Sequence, residues 1–132
     1  MNLPHENVYV RLGKSPIHGI GVFAILKIEK GTPIFYDDAE EINWVDEKVT
    51  DNLPEKIQDF YEAFCIHRKG QYGCPPSFNK LTPNWYINHN ANDPNVGCDA
   101  NDHFFALRDI LVGEEITYDY TSIDDRAPVF PG

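Results

Sequence analysis

Val8, Val10 and Leu12 alternate with Tyr9 and Arg11, the period of a strand with one buried face. The stretch 13–21 breaks that alternation with Pro16, Gly19 and Gly21. Val22–Ile28 returns to strand, Lys30-Gly31 is a turn, and Pro33–Tyr36 starts another short strand. Asp37–Glu47 is acidic, with Ile42, Trp44 and Val45 as its only apolar anchors. The one helical pattern lies at Pro54–Phe64, where Ile57, Phe60, Tyr61 and Phe64 fall at i, i+3, i+4 and i+7 and Pro54 suits the first turn. His67, Arg68 and Lys69 then read as cations complementing a helix C-terminus ahead of Gly70. Gln71–Pro83, with Gly73, Pro75, Pro76 and Pro83, reads as an ordered loop. A short apolar run (Trp85, Tyr86, Ile87) next enters a polar loop closed by Pro94-Asn95. Two strand-like segments follow, joined at Val112-Gly113, and the last carries Tyr118 and Tyr120 at strand period. Short strands, many turns and no internal repeat predict a mainly β single domain with one or two short helices.

Composition narrows the function. A chain of 132 residues buries about two-thirds of its unfolded surface, and a hydrophobic content of 42% is that of a globular protein. No apolar run approaches the ~20 residues that span a bilayer, and residues 1–12 lack the apolar core of a signal peptide. The expectation is an intracellular protein, cytoplasmic or nuclear, with no membrane partner. Cys65, Cys74 and Cys98 are odd in number and scattered, which argues against a disulfide framework. Twenty-one acidic residues against eleven basic ones give a formal charge of −10, the wrong sign for a nucleic-acid binder. Such a surface either attracts basic partners or serves solubility alone.

Three small groups of residues carry candidate chemistry. Gly19 and Gly21 allow a close backbone approach, whether to a ligand or within a plain hairpin turn. Asn88-His89 combines an amide that both donates and accepts with an imidazole; the pair suits an adenine edge or an amino-acid tail, or a loop beside a core histidine. Tyr118 and Tyr120, two apart on a strand, share a face. As core aromatics they would still bury two hydroxyls needing partners.

The order of these groups resembles the SET-domain family, the S-adenosylmethionine-dependent protein-lysine methyltransferases. The opening SPIHGIGVFAILKIEKGTPIF is similar to the family's Gly-x-Gly turn, strand and Lys-Gly turn. The run NWYINHN, then Pro94-Asn95, then GEEITYDY is similar to its aromatic-rich strand ending in Asn-His, its Pro-Asn and its C-terminal signature. The resemblance covers 8–35 and 84–120, with 36–83 as the variable insert and 121–132 as a tail of one domain spanning 1–132. It implies small β-sheets around a C-terminal pseudoknot, with S-adenosylmethionine as cofactor. It assigns cofactor contacts to His18, Gly19, Ile20, Gly21, Asn88, His89 and Tyr120. It also makes Tyr120 the catalytic tyrosine and Tyr118 the residue that limits how many methyl groups are added, mainly to one. The substrate implied is a lysine-bearing, basic protein or peptide such as a histone-like tail; monomer and homodimer both stay open. Two departures matter. Asn90-Ala91 stands where the family usually has Ser-Cys, and no cysteine follows Cys98, so no zinc site is expected. The tail or a second subunit must then close the lysine channel. Glu114, Glu115 and Asp119 are expected to be mostly structural. A SET-fold interaction module without transferase activity is the alternative function, and a small-molecule methyltransferase a third.

Overall fold

The computed structural model describes residues 3–35, 42–101 and 103–124. Its principal sheet is built from β1 (Val10–Lys14), β2 (Ile20–Ala24), β6 (Asn88–His89) and β9 (Glu115–Tyr118), in the order β1-β2-β9-β6. β1 and β2 form an antiparallel hairpin with Val10 opposite Ala24 and Lys14 opposite Ile20. β9 lies between β2, to which it runs antiparallel, and β6, to which it runs parallel. The last strand thus binds together pieces of chain from both ends of the sequence.

A second sheet, in the order β3-β5-β4, comes from the insert: β3 (Asn43–Asp46), β4 (Ile66–Arg68) and β5 (Gln71–Cys74), with α1 (Glu55–Phe64) beside it. A third ladder pairs β7 (Val96–Cys98) with β8 (Phe104–Ala106). Single bridges at Ile28–Ile110 and Pro33–Phe105 tie the first half of the chain to this region. The main core is aliphatic: Val22, Ile28, Ile34, Val96, Ile110 and Ile116 are essentially inaccessible. Among the described residues, no helix is long and apolar enough to cross a membrane.

The helix lies where its periodicity placed it, with Pro54 as the residue before its first turn. His67 and Arg68, expected at its C-terminus, instead belong to β4. Cys65 turns extended and ends the helix, and the hairpin then reverses at Lys69-Gly70, both at positive φ (51° and 76°). Two consecutive left-handed residues make the turn whose twist matches a β-hairpin. Gln71–Cys74, expected as loop, is the central strand of this sheet. The strand expected over Val22–Ile28 stops at Ala24; Ile25 still donates its N–H to the Tyr9 carbonyl, one step on in the hairpin register, and Ile28 bridges to Ile110 instead. The segment from Pro33 contributes a bridge rather than a strand. The apolar run before Asn88 is a 3-10 helix over Pro83–Tyr86, begun by the proline, and not a strand. Much of Asp37–Glu47 and of the tail lies outside the described residues.

Candidate active site

The site is assembled where the segment 84–90 meets β9 and the β1–β2 hairpin. Asn88 is 5% exposed, and its amide nitrogen donates to the His18 carbonyl (3.1 Å), the Ile20 carbonyl (3.4 Å) and the Glu115 carboxylate (2.9 Å). Glu115 also accepts from the Ser15 hydroxyl at 2.8 Å to both oxygens, and Ser15 Oγ accepts from the Ile17 and His18 N–H groups. A carboxylate–amide pair, the amide buried and the carboxylate half-buried, therefore holds both sides of the turn at 15–20. This arrangement explains the two glycines differently. Gly19 sits at φ +46° with open space where a Cβ would lie. Gly21 needs no unusual φ; a Cβ there would strike the Glu115 carboxylate and lie 3.1 Å from the Asn88 amide nitrogen.

On the other side of Asn88 the tyrosines converge. The Tyr120 hydroxyl donates to the Ile87 carbonyl at 2.6 Å, and its backbone N–H donates to His89 Nδ1 at 3.0 Å. An accepting Nδ1 places the neutral imidazole's proton on Nε2. The Tyr120 ring lies 4.9 Å from His89 and 4.8 Å from Tyr118, whose ring in turn lies 5.0 Å from Phe104. Tyr120 is the first residue of a 3-10 turn beyond β9, capped by Asp119, yet the two rings still end side by side. Burial, then the neighbouring Glu115 carboxylate, lifts Tyr120 well above the ordinary phenol range. Burial and the adjacent Tyr120 do the same to Tyr118. Both phenols are neutral at physiological pH. Among the described residues, the Tyr118 hydroxyl makes no hydrogen bond, in contrast to that of Tyr120.

All the residues singled out from the sequence are brought together: His18 to Gly21 through Asn88, and His89, Tyr118 and Tyr120 through the rings. Three structural partners were not singled out for the site. Ser15 carried no signal beyond its turn. Glu115, read as structural, is the hub that ties Ser15 to Asn88. Asn95 is 2% exposed and accepts from the Thr117 N–H (2.8 Å), donates to the Glu115 carbonyl (2.7 Å) and donates its own N–H to the Thr117 carbonyl. It pins the polar loop onto β9, and only its place in the Pro-Asn pair marked it. Asn90 closes that loop by accepting from the N–H groups of Asn92 and Asp93. Among the described residues, no three His, Cys, Asp or Glu side chains are grouped as a metal would require.

An apolar groove of about 360 Å³ runs along the hairpin, lined by Leu12, Gly13, Lys14, Gly19 and Ile20. It is an open surface groove, not an enclosed cavity. The exposed Ile20 side chain and the open face of Gly19 suit a nucleoside-bearing group, and the alternation of the parallel ladder turns the His89 backbone away from β9. These residues fit the cofactor that the family uses.

The fold and this arrangement define the chain as a member of the SET-domain family, whose profile matches residues 19–121. A Plasmodium falciparum (isolate 3D7) protein named "Putative histone-lysine N-methyltransferase 1" is 31% identical over 127 residues, covering 87% of this chain. The chain spans only 2% of that relative's length. Among solved structures, that of a "Plasmodium falciparum putative histone methyltransferase" superposes with a TM-score of 0.55 at 20% identity, over 86% of this chain and 93% of that one. A humanized mutant of the Chaetomium thermophilum Polycomb Repressive Complex 2 bound to the inhibitor GSK126 gives 0.59 at 22% identity, over 90% of this chain and 16% of that one. At these identities the structural matches establish the fold.

Proposed function

We propose that this chain is a protein-lysine N-methyltransferase that uses S-adenosylmethionine and adds mainly one methyl group. The observation that carries this reading is the Tyr120 hydroxyl held on the Ile87 carbonyl beside the ring of Tyr118, one residue from the Asn88–Glu115 anchor of the glycine turn. Family membership and the histone-lysine methyltransferase relative support it. His18, Gly19, Ile20, Gly21 and the Asn88-His89 backbone would hold the cofactor, which when bound supplies an electrophilic methyl group on a cationic sulfur. The Asn88 side chain works mainly to shape the turn, since its donors are spent inside the protein.

The chain's own residues have three tasks. Tyr120 spends its proton on Ile87 O, so the oxygen's remaining lone pairs are the fixed acceptor at the reaction centre. Neither raised phenol can act as a base at neutral pH, so the lysine must reach the site uncharged. Its ordinary pKa is roughly 10.4, and desolvation in an aromatic channel lowers it. Positioning of amine against methyl then supplies most of the acceleration. Tyr118 sets multiplicity: its hydroxyl, not bound to the described residues, is available to hold the amine or a water beside it. Breaking that contact to turn a methylated amine costs about 1–3 kcal/mol, and each 1.36 kcal/mol is tenfold in rate. The charge of −10 supports a basic, lysine-rich protein as the substrate.

Incubation with methyl-labelled S-adenosylmethionine and a basic, lysine-rich protein tests the reading. Label in monomethyl-lysine, shifting toward dimethyl-lysine in Tyr118→Phe, is expected. Label confined to small molecules, or abundant trimethyl-lysine from the unaltered chain, contradicts it.

A further inference from the structure

The insert carries chemistry that the methyl-transfer reading leaves unused. Cys65 and Cys74 are buried, 4% and 5% exposed, and their sulfurs lie 3.2 Å apart as thiols. Their meeting is fixed by the backbone. The β4–β5 hairpin pairs Arg68 with Gln71, His67 with Tyr72 and Ile66 with Gly73, and continuing the register by one step sets Cys65 opposite Cys74. Because the two-residue turn makes Arg68–Gln71 a hydrogen-bonded pair, alternation makes Cys65–Cys74 a non-hydrogen-bonded one. Consistent with that, the Cys65 N–H turns away to the Tyr61 carbonyl. Such pairs hold their Cα atoms about 4.5 Å apart, within the range a disulfide bridges without moving the backbone.

We propose that Cys65 and Cys74 are a dithiol site that a hydroperoxide oxidises reversibly to an intramolecular disulfide. The Cys65 thiol donates its hydrogen bond to the Cys74 sulfur, which lowers the Cys74 pKa against the opposing effect of burial. Cys74 is therefore the attacking sulfur. Its thiolate bonds to one peroxide oxygen, the O–O bond breaks, and the departing oxygen leaves as water with the Cys74 proton (as alcohol, for an alkyl hydroperoxide). The Cys65 sulfur then attacks the resulting sulfenic acid, the S–O bond breaks, and the hydroxyl leaves as water with the Cys65 proton. Two thiols lose their hydrogens and one hydrogen peroxide becomes two waters. The bond would staple the end of α1 to the hairpin whose His67 N–H and Arg68 Nε hold the Asp124 carboxylate and the Ile123 carbonyl, just beyond Tyr120. This inference is independent of the methyl-transfer reading.

The test treats native protein carrying Cys98→Ser, so that one intramolecular pair remains, with an equivalent of hydrogen peroxide. The expected product has lost two hydrogens in mass. Its tryptic peptides Ile57–Arg68 and Gly70–Lys80 travel as one species until dithiothreitol parts them. Its melting temperature rises by up to roughly 10 °C, the effect of closing a short loop in the unfolded chain. Peptides that stay separate, or a link that forms only in guanidinium, overturn the proposal.

Discussion

The two sheets are held in different ways. Around β9, aliphatic side chains fill the core, and buried polar side chains bind backbone to backbone: Asn88 to the glycine turn, Asn95 to two residues of β9. In the insert, α1 buries none of its residues fully, and the packing is aromatic: Phe78 stacks on Phe60 at 5.3 Å and meets Tyr61 edge-on at 5.1 Å. Among the described residues, the insert meets the rest of the protein through the Phe64–Tyr86 contact (5.4 Å) and the His67 and Arg68 bonds to residues 123–124, among others. A network of buried directional bonds tolerates little change, because each lost partner leaves a polar group unsatisfied. Aromatic packing of half-exposed rings tolerates many substitutions. The site's geometry therefore belongs to the first region, and the second can vary more freely.

The largest expected effect breaks the first region. Asn95→Ala leaves the Thr117 N–H and the Glu115 carbonyl buried without partners, at about 3–4 kcal/mol together, so the melting temperature should fall by roughly 10 °C. A loss of only a degree or two by calorimetry would mean that the loop is held by something else. Phe78→Ala should cost about 2 kcal/mol, with a different signature. Hydrogen exchange should quicken across 43–74 while 20–24 and 115–118 stay protected. Uniform loss of protection would make the two regions one cooperative unit.

A smaller effect separates the two glycines. Gly21→Ala must displace the Glu115 carboxylate from Asn88, costing about 1–2 kcal/mol and weakening cofactor binding through the turn. Gly19→Ala meets no atom and pays only the left-handed backbone, about 1 kcal/mol. Isothermal titration should thus show a loss of S-adenosylmethionine affinity in the first variant that exceeds any change in stability. Equal behaviour of the two would remove the role given to the Glu115–Asn88 pair.

The same contrast governs what could be read in the sequence. In the first region Asn88, His89, Tyr118 and Tyr120 were legible because they stand in a family-like motif, and the fold brings them together. Asn95 was visible as half of a Pro-Asn pair, but its three bonds to β9 depend on a strand twenty residues on. Ser15 could not be found, because its partner Glu115 is a hundred residues away. In the insert, the helix was legible from its 3.6-residue period. β4 and β5 were missed because each is so short that strand alternation cannot show. His67-Arg68-Lys69 beside Gly70 matches a helix end as well as it matches a tight hairpin turn. At Pro83 the proline favoured a 3-10 turn, although aromatic content pointed to a strand.

The central claim is that Tyr120, fixed by Ile87, serves the transfer step and not cofactor capture. Single-turnover methyl transfer and S-adenosylmethionine titration, run side by side on the unaltered chain and Tyr120→Phe, test it directly. The account predicts a fall in the transfer rate of about a hundredfold or more, equivalent to some 2.7 kcal/mol of lost transition-state stabilisation, with cofactor affinity within a few-fold. Transfer within threefold of the unaltered chain would contradict it.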